Sequence, residues 1–326
     1  MTCGNTTISG SRRPPDPMSF SDLLLQQTIN GLSLGAMYSL LALGFTLVYG
    51  ILELINFAHF NVFMVGSFIG MWTLQLLGIN GQAVVMTGLP LIGVMLLALL
   101  VTMVLSGALG VVIERLSLRP LRNVKGPAAM ITTIGVSYVL FNIILLTVGA
   151  DSKNYPNPLP PVQWAIGDAV LRLREVLIWA IAVLLMVALH FFVQRSRMGK
   201  AMRATAQDPE AARMMGVEVD RIIIIAFFLG SALAGAGGLI FGLYYNFTSF
   251  IIGFTAGLRA FTAAVLGGIG NVPGAMLGGV IIGLIEAMGG QFIATAWTDV
   301  IIFSILVLVL VFRPAGLLGR VAPNKS

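Results

Sequence analysis

The sequence predicts an all-α, polytopic membrane protein with eight or nine transmembrane helices, some of them broken or re-entrant. Three observations carry that prediction. The 326-residue chain is 57% hydrophobic and only 10% Asp, Glu, Lys or Arg, whereas a soluble domain carries about 25% charged residues, so this chain lacks the charge to cover a surface in water. The charges it has are also absent over long windows. Leu23 to Ile113 contains Glu53 alone, Gly126 to Ala150 none, Val176 to Gln194 none, and Ile222 to Phe312 only Arg259, Glu286 and Asp299. A bilayer span needs about 20 apolar residues, and these windows hold eight or nine. Finally, polar groups and turn residues interrupt the apolar runs at two places, "LELINFAHFNVFM" and "GGIGNVPGAMLGG". Bent backbone at membrane depth is tolerated only inside protein or beside water.

Taken in order, residues 1–21 read as a disordered polar tail. Its Arg12-Arg13 pair has no adjacent apolar core, so no cleaved signal is predicted, and Met18 is an alternative start to Met1. The membrane-embedded domain is assigned to 22–320, with apolar segments at 23–49, 57–78, 84–113, 127–149, 175–194, 221–245, 251–270, 275–294 and 297–312, and 321–326 as a C-terminal tail. Cys3 stands alone, which rules out a disulfide within the chain. The loop 114–125 has four basic residues and one acid, 195–221 has six basic residues and four acids, and the C-terminus adds Arg313, Arg320 and Lys325. The positive-inside bias places all three in the cytoplasm and the balanced, proline-rich loop 150–175 outside. The net charge of +6 is thus loop charge and calls for no nucleic acid. Three crossings before residue 114 put the N-terminus outside, whereas one dipping segment puts it inside.

Many of the 38 glycines lie within spans, where small residues let helix backbones approach closely. "VYGILELINFAHFNVFMVGSFIG" and "LYYNFTSFIIGFTAGLRAFTAAVLGGIG" share an aromatic entry, a Phe-small pair and a glycine exit, as expected of repeats with broken helices at matching positions. Within the first of these, Glu53, Asn56, His59 and Asn61 fall inside nine positions. Unpaired polar groups in hydrocarbon cost several kcal/mol each, so the cluster meets either headgroups or a wet internal cavity. Asn56 and Asn61, five apart, cannot share one face of a straight helix, and a break near "GILELIN" follows. Glu53 fits an interfacial turn and a pathway equally. Asn56, His59 and Asn61 are candidates for a translocation pathway, with Thr262 a weaker one alongside Thr255. Arg259 and Glu286 are candidates for a buried charge pair bracing two helices. His190 belongs near the cytoplasmic end of its span.

No catalytic set, metal-ligand cluster or cofactor motif is present. None of Lys125, Lys153, Lys200 and Lys325 follows the GxxxxGK[ST] pattern of a phosphate loop, so the chain does not hydrolyse ATP itself. Ion coupling usually needs carboxylates at the membrane middle, and only Glu286 offers one. In the second cytoplasmic loop Asp208 can cap a helix with Pro209 at its first position, Glu210 in its first turn and Gly216 as terminator.

Three stretches, "NGLSLGAMYSLLALGFTLVYGILELINFAH", the loop from Arg195, and "FTAAVLGGIGNVPGAMLGG", resemble the branched-chain amino-acid permease family of ATP-driven (ABC) importers, in matching order from about residue 22 to 320. "EAARMMG", Glu210 to Gly216, resembles the EAA-xxx-G signature that docks such permeases on their ATPases, although the usual later proline is absent. After "NFAH" the family commonly has glycine then an acid, where this chain has Phe60 and Asn61. The resemblance implies no enzyme activity and no cofactor, but a second homologous permease, two cytoplasmic ABC ATPases, a periplasmic solute-binding protein, membrane lipid and a small hydrophobic amino acid as solute. It assigns Arg203, Asp208, Glu210, Ala211, Ala212 and Gly216 to ATPase docking. Relatives that carry urea or short amides, an ion-coupled secondary transporter and a passive channel are the competing readings.

Overall fold

Each apolar run becomes a helix, because only a helix satisfies its own backbone groups away from water. The computed structural model describes residues 19–80, 86–122, 124 and 127–319. The tail expected over 1–21 up to residue 18, both candidate starts and the tail 321–326 lie outside the described residues.

The helices are α1 (Phe20–Leu52), α2 (Ala58–Leu76), α3 (Leu89–Ile113), α4 (Ala128–Val148), α5 (Leu173–Arg195), α6 (Arg197–Gln207), α7 (Pro209–Met214), α8 (Val219–Tyr245), α9 (Ile252–Gly267), α10 (Val272–Gly289) and α11 (Thr298–Phe312). α3 runs on through a π-helical turn at Glu114–Leu118 and a 3-10 turn at Arg119–Leu121, and irregular turns at 290–297 join α10 to α11. Among the described residues, six helical stretches are long and apolar enough to cross a membrane: α1, α3 with its extension, α4, α5, α8 and the run Val272–Phe312. α2 and the shorter apolar α9 lie at the centre of the bundle.

The bundle forms around glycine seams. α1 packs on α10 more extensively than any other pair in the fold. A Cβ on Gly283 would run into the backbone of Gly35 and Gly31, and one on Gly35 would meet the Val280 backbone. Gly238 bears on the Phe63 carbonyl in the same way, bringing α8 onto α2. Such contact replaces the hydrophobic drive that lipid cannot supply.

Which end of each helix shares a face follows from contacts. Val170 donates its amide to Gln26 Oε1 (2.7 Å), and Gln27 bonds Gln291 (3.1 Å). The N-terminal end of α1, the loop 150–175 and the turn after α10 therefore lie on one face. The opposite face holds the turn 268–271, the segment 315–319 (Leu317 and Leu318 amides on the Leu266 and Gly267 carbonyls), the α3 extension and α6–α7. The glycine-rich stretch expected to bend does so here: α9 ends at Gly267, Gly268 and Gly270 take left-handed φ of 105° and 88°, and Asn271 caps α10.

The loop 150–175 is folded. β1 (Lys153–Asn154) pairs antiparallel with β4 (Phe247–Thr248), and β2 (Gln163–Ile166) forms a hairpin with β3 (Ala169–Arg172). Between these, Tyr155 is wedged in a slot left by Gly70 of α2 and Gly242 of α8.

The internal echo has a structural counterpart. α1 ends on Glu53 (φ 53°, ψ 24°) and α8 on Asn246 (φ 57°, ψ 21°), the two non-glycine residues with left-handed backbone among those described. Each donates its amide over 2.8 Å to the residue four back, Tyr49 or Gly242. A short irregular or extended link then leads to a second helix, α2 or α9. The long helices α1 and α8 run in opposite directions and pack together, as α2 packs on α9. This is the arrangement of an inverted repeat.

Candidate functional site

The opening polar cluster sits at the break between α1 and α2, where the sequence placed it, but its members do different things. Asn56 Oδ1 accepts the Ala58 amide (3.1 Å), capping α2. The next amide, of Phe57, bonds Thr133 Oγ1 of α4 (3.2 Å). His59 is buried inside the helix bundle, its Nε2 3.3 Å from the Leu41 carbonyl of α1, its ring against Gly44. A carbonyl can only accept, so Nε2 carries the hydrogen of this bond. Asn61, only 5% exposed, donates through Nδ2 to both the carbonyl and Oγ of Ser137 on α4, each at 2.7 Å. The Ser137 carbonyl can only accept, so the amide nitrogen must face α4. Oδ1 is left packed toward Gly253 of α9, with no hydrogen-bond partner among the described residues.

Of the three asparagine and histidine candidates, Asn61 lines a cavity. It measures about 350 Å³ and is walled by Phe57, Phe60, Ser137, Phe141 and Phe254, between the starts of α2 and α9 and the middle of α4. Thr262 does not reach it. That side chain is fully buried and returns its hydroxyl to the Leu258 carbonyl of its own helix (2.9 Å). The α4 wall was missed by sequence reasoning. The signal was present in "TTIGVSYVLFN", where Thr133 and Ser137, four apart on one helix face, both hydrogen-bond the 57–61 segment.

The first turn of α9 separates this cavity from a second, of about 270 Å³, lined by Tyr38, Tyr245, Ser249, Thr255 and Arg259. Arg259 reaches from α9 to Glu286 of α10, to Asp299 of α11 (2.7 and 3.1 Å) and to the Tyr38 hydroxyl of α1 (3.3 Å). The anticipated pair is thus one edge of a cluster joining four helices, and Glu286 Oε2 remains without a partner among the described residues.

On the face opposite the loop 150–175, Asp208 Oδ1 accepts the amides of Glu210 (2.9 Å) and Ala211 (3.0 Å), and Gly216 takes φ 82° to close the turn. Ala212 packs inward, and Arg203 folds back to the Val193 carbonyl. The motif residues therefore build the turn, and what it presents outward is Glu210, Arg213 and the exposed pair Met214 and Met215. Asp220, just inside α8, bonds Arg122 (2.6 Å), which also pairs with the fully buried Glu114 at the end of α3. The α6–α7 module is in this way tied by charge to the first loop on its face.

A family model described as branched-chain amino acid transport system / permease component matches residues 27–310. The chain is 41% identical over 306 residues to the high-affinity branched-chain amino acid transport system permease protein LivH of Escherichia coli K12, covering 92% of this chain and 97% of the relative. It is 40% identical, with the same coverage, to the corresponding protein BraD of Pseudomonas aeruginosa. A probable branched-chain amino acid transport permease protein LivH of Methanocaldococcus jannaschii is 29% identical over 300 residues, 86% of this chain and 88% of the relative. No solved structure matches. A helical bundle with at least six membrane-crossing stretches and this full-length kinship lead to one conclusion: the chain belongs to the branched-chain amino-acid transport permease family.

Proposed function

We propose that the chain is a transmembrane subunit of an ATP-driven ABC importer for branched-chain amino acids in the cell's inner membrane, forming half of the translocation pathway. In this reading a second homologous permease completes the pathway, two cytoplasmic ATPases supply the energy, and a periplasmic solute-binding protein delivers the solute. The observation that carries it is the α6–α7 module. A rigid, capped turn presenting an apolar methionine pair beside charges of both signs suits docking to another protein, and it stands on the face that the positive-inside bias assigns to the cytoplasm.

The helices then make nine crossings. α9 spans only about 24 Å at 1.5 Å per residue, short of the ~30 Å hydrocarbon core, and the extended segment 246–251 completes its crossing. The N-terminal end of α1 falls outside and the segment after α11 inside. The cavity at Asn61 belongs to the pathway, Asn56 and His59 support its wall from the α1–α2 break, and the Arg259 cluster braces the outer half.

The test is uptake of radiolabelled leucine by proteoliposomes holding the complete assembly. Accumulation should need ATP, survive an uncoupler and fall when Glu210→Arg is introduced with the protein still in the membrane. Uptake that collapses with an uncoupler and persists without ATP would establish an ion-coupled carrier instead, and transport of urea in preference to leucine would move the chain to the amide branch.

A further inference from the structure

The flank of the bundle between α5 and α10 holds a groove that the pathway does not use. α1 packs on both helices, which scarcely touch each other, and the gap between them measures about 470 Å³, within the range of ligand pockets. Met186, Val187 and Phe191 wall it on α5, and Met276, Leu277 and Val280 on α10. His190 is the one polar side chain among the described residues that line it, and its ring has no hydrogen-bond partner among them. The groove opens toward the face that bears α6–α7. α10 starts there at Val272, just after the turn 268–271, and α5 ends there at Arg195. His190 stands five residues before that end, about 7.5 Å at 1.5 Å per residue. The rim is cationic. The guanidinium carbon of Arg195 lies 6.0 Å from the centre of the Phe191 ring, which keeps the charge over the groove wall. Arg197 and Lys200 follow. All three cations are exposed, and none has a carboxylate within 4.0 Å among the described residues. No acid stands between Glu175 and Asp208 on one side of the groove, or between Arg259 and Glu286 on the other, so the positive rim is uncompensated.

An apolar slot beneath a cationic rim is complementary to an amphiphile with a negative head. We propose that the groove is a binding site for one anionic phospholipid of the cytoplasmic leaflet. Arg195 takes the phosphate through its planar fork. The imidazole N–H of His190, deeper along α5, donates to a glycerol ester carbonyl, and an acyl chain lies between Met186 and Leu277. A zwitterionic lipid would bring an ammonium to a rim that is already positive, and free phosphate has no chain for the slot. Bound there, the lipid bridges α10 to the junction of α5 and α6, beside the docking turn. The proposal uses the sidedness argued above and is independent of the solute carried.

The experiment uses the complete transporter in phosphatidylcholine nanodiscs. Leu277→Trp places an indole in the groove, and Leu308→Trp, on an exposed side chain of α11 at similar depth near the same face, is the control. Quenching of the added fluorescence is followed as phosphatidylglycerol or phosphatidylcholine with brominated chains replaces part of the lipid. The groove should prefer the phosphatidylglycerol about tenfold, the worth of a hydrogen bond to a charged group, and the control site by no more than about twofold, the pull of a basic surface alone. Arg195→Gln should bring the groove down to the control value. His190→Leu, which leaves the rim charged, should lower the preference about threefold, and excess inorganic phosphate should not displace the lipid. The comparison of the two lipids alters neither polar contact, so it stands even where a variant at Arg195 or His190 is lost. Equal preference at both indoles, a preference that survives Arg195→Gln, or displacement by inorganic phosphate would overturn the phospholipid site. Each would leave the reading as an ATP-driven importer intact, because that reading is tested by leucine uptake.

Discussion

Replacing Arg259 by leucine removes the single cation from a cluster that holds two carboxylates. Glu286 is 12% exposed and Arg259 19%, and Glu286 Oε2 already lacks a partner. Stripping the guanidinium leaves a buried carboxylate uncompensated, which costs about 3–5 kcal/mol. The bond to Asp299 adds little, because that side chain is 58% exposed and a solvent-screened pair contributes at most about 1 kcal/mol. The reverse change, Glu286→Leu, leaves Arg259 with Asp299 and Tyr38 and should cost only about 1–2 kcal/mol. The decisive comparison is the double variant. Adding Glu286→Leu to Arg259→Leu removes the stranded carboxylate and should restore about 2 kcal/mol, a roughly 30-fold gain in the folded-to-unfolded ratio, so the second mutation rescues the first. The assay is reversible unfolding of the detergent-purified chain by SDS titration for the wild type, both single variants and the double variant. Additive losses, or an Arg259→Leu variant within about 1 kcal/mol of wild type, would show that the cluster does not brace α1, α9, α10 and α11 in the way argued.

Three further outcomes follow from the geometry. Met215→Glu, on the outward face of the turn after α7, should leave the amount of protein in the membrane unchanged while lowering ATP-dependent leucine uptake and co-purification of the ATPases by about tenfold or more, since desolvating a charge in an apolar contact is costly. Equal co-purification would place docking elsewhere. Gly283→Ala forces a methyl against the α1 backbone at Gly35 and should destabilise by about 1–3 kcal/mol, read as a lower thermal midpoint. Gly135→Ala, where a Cβ meets nothing within 4 Å, should leave the midpoint unchanged. Tyr155 in the loop 150–175 carries a buried hydroxyl without a partner among the described residues, and burial pushes its phenol well above the ordinary value of 10.0. The neutral phenol is therefore the folded form, and its contribution is complete below pH 10 and is lost as pH rises through the higher folded-state value. Tyr155→Phe should gain about 1 kcal/mol at neutral pH and lose less stability than wild type between pH 10 and 12 in thermal scans. Identical alkaline profiles would refute this.

Much of the bundle was legible because lipid imposes a one-dimensional rule: a run of apolar residues long enough to cross must be a helix. All nine expected apolar segments contain one, and the break before Asn56 was foreseen because two asparagines five apart cannot share a helical face. The α7 turn was legible for a local reason too, since Asp208, Pro209 and Gly216 act on backbone groups within a few residues of themselves. The candidate site was legible only as a list of polar residues. Asn56, His59 and Asn61 look alike in the sequence, yet one caps a helix, one is enclosed between helices and one borders a cavity. Which role each takes depends on partners 76 positions away for Asn61 and 18 away for His59, and no spacing rule reaches that far. The loop 150–175 was legible only as a charge-balanced, proline-rich segment on the side away from the basic loops, because nothing local announces that Tyr155 fills a gap between Gly70 and Gly242 or that 153–154 pairs with 247–248.

The sequence by itself determined that this chain lives in a bilayer, roughly where its apolar helices lie, which loops carry the positive charge and which family it resembles. The first three follow from composition, periodicity or capping within about one helical turn, and the resemblance rests on three stretches matched in order. Only the tertiary structure decided that Arg259 joins four helices, that the two αL-capped junctions are counterparts in an inverted repeat, and that the start of α9 faces Asn61. Those relations arise when glycine seams bring distant backbones into contact, and a polar group inside a membrane protein takes its role from whatever that contact places beside it.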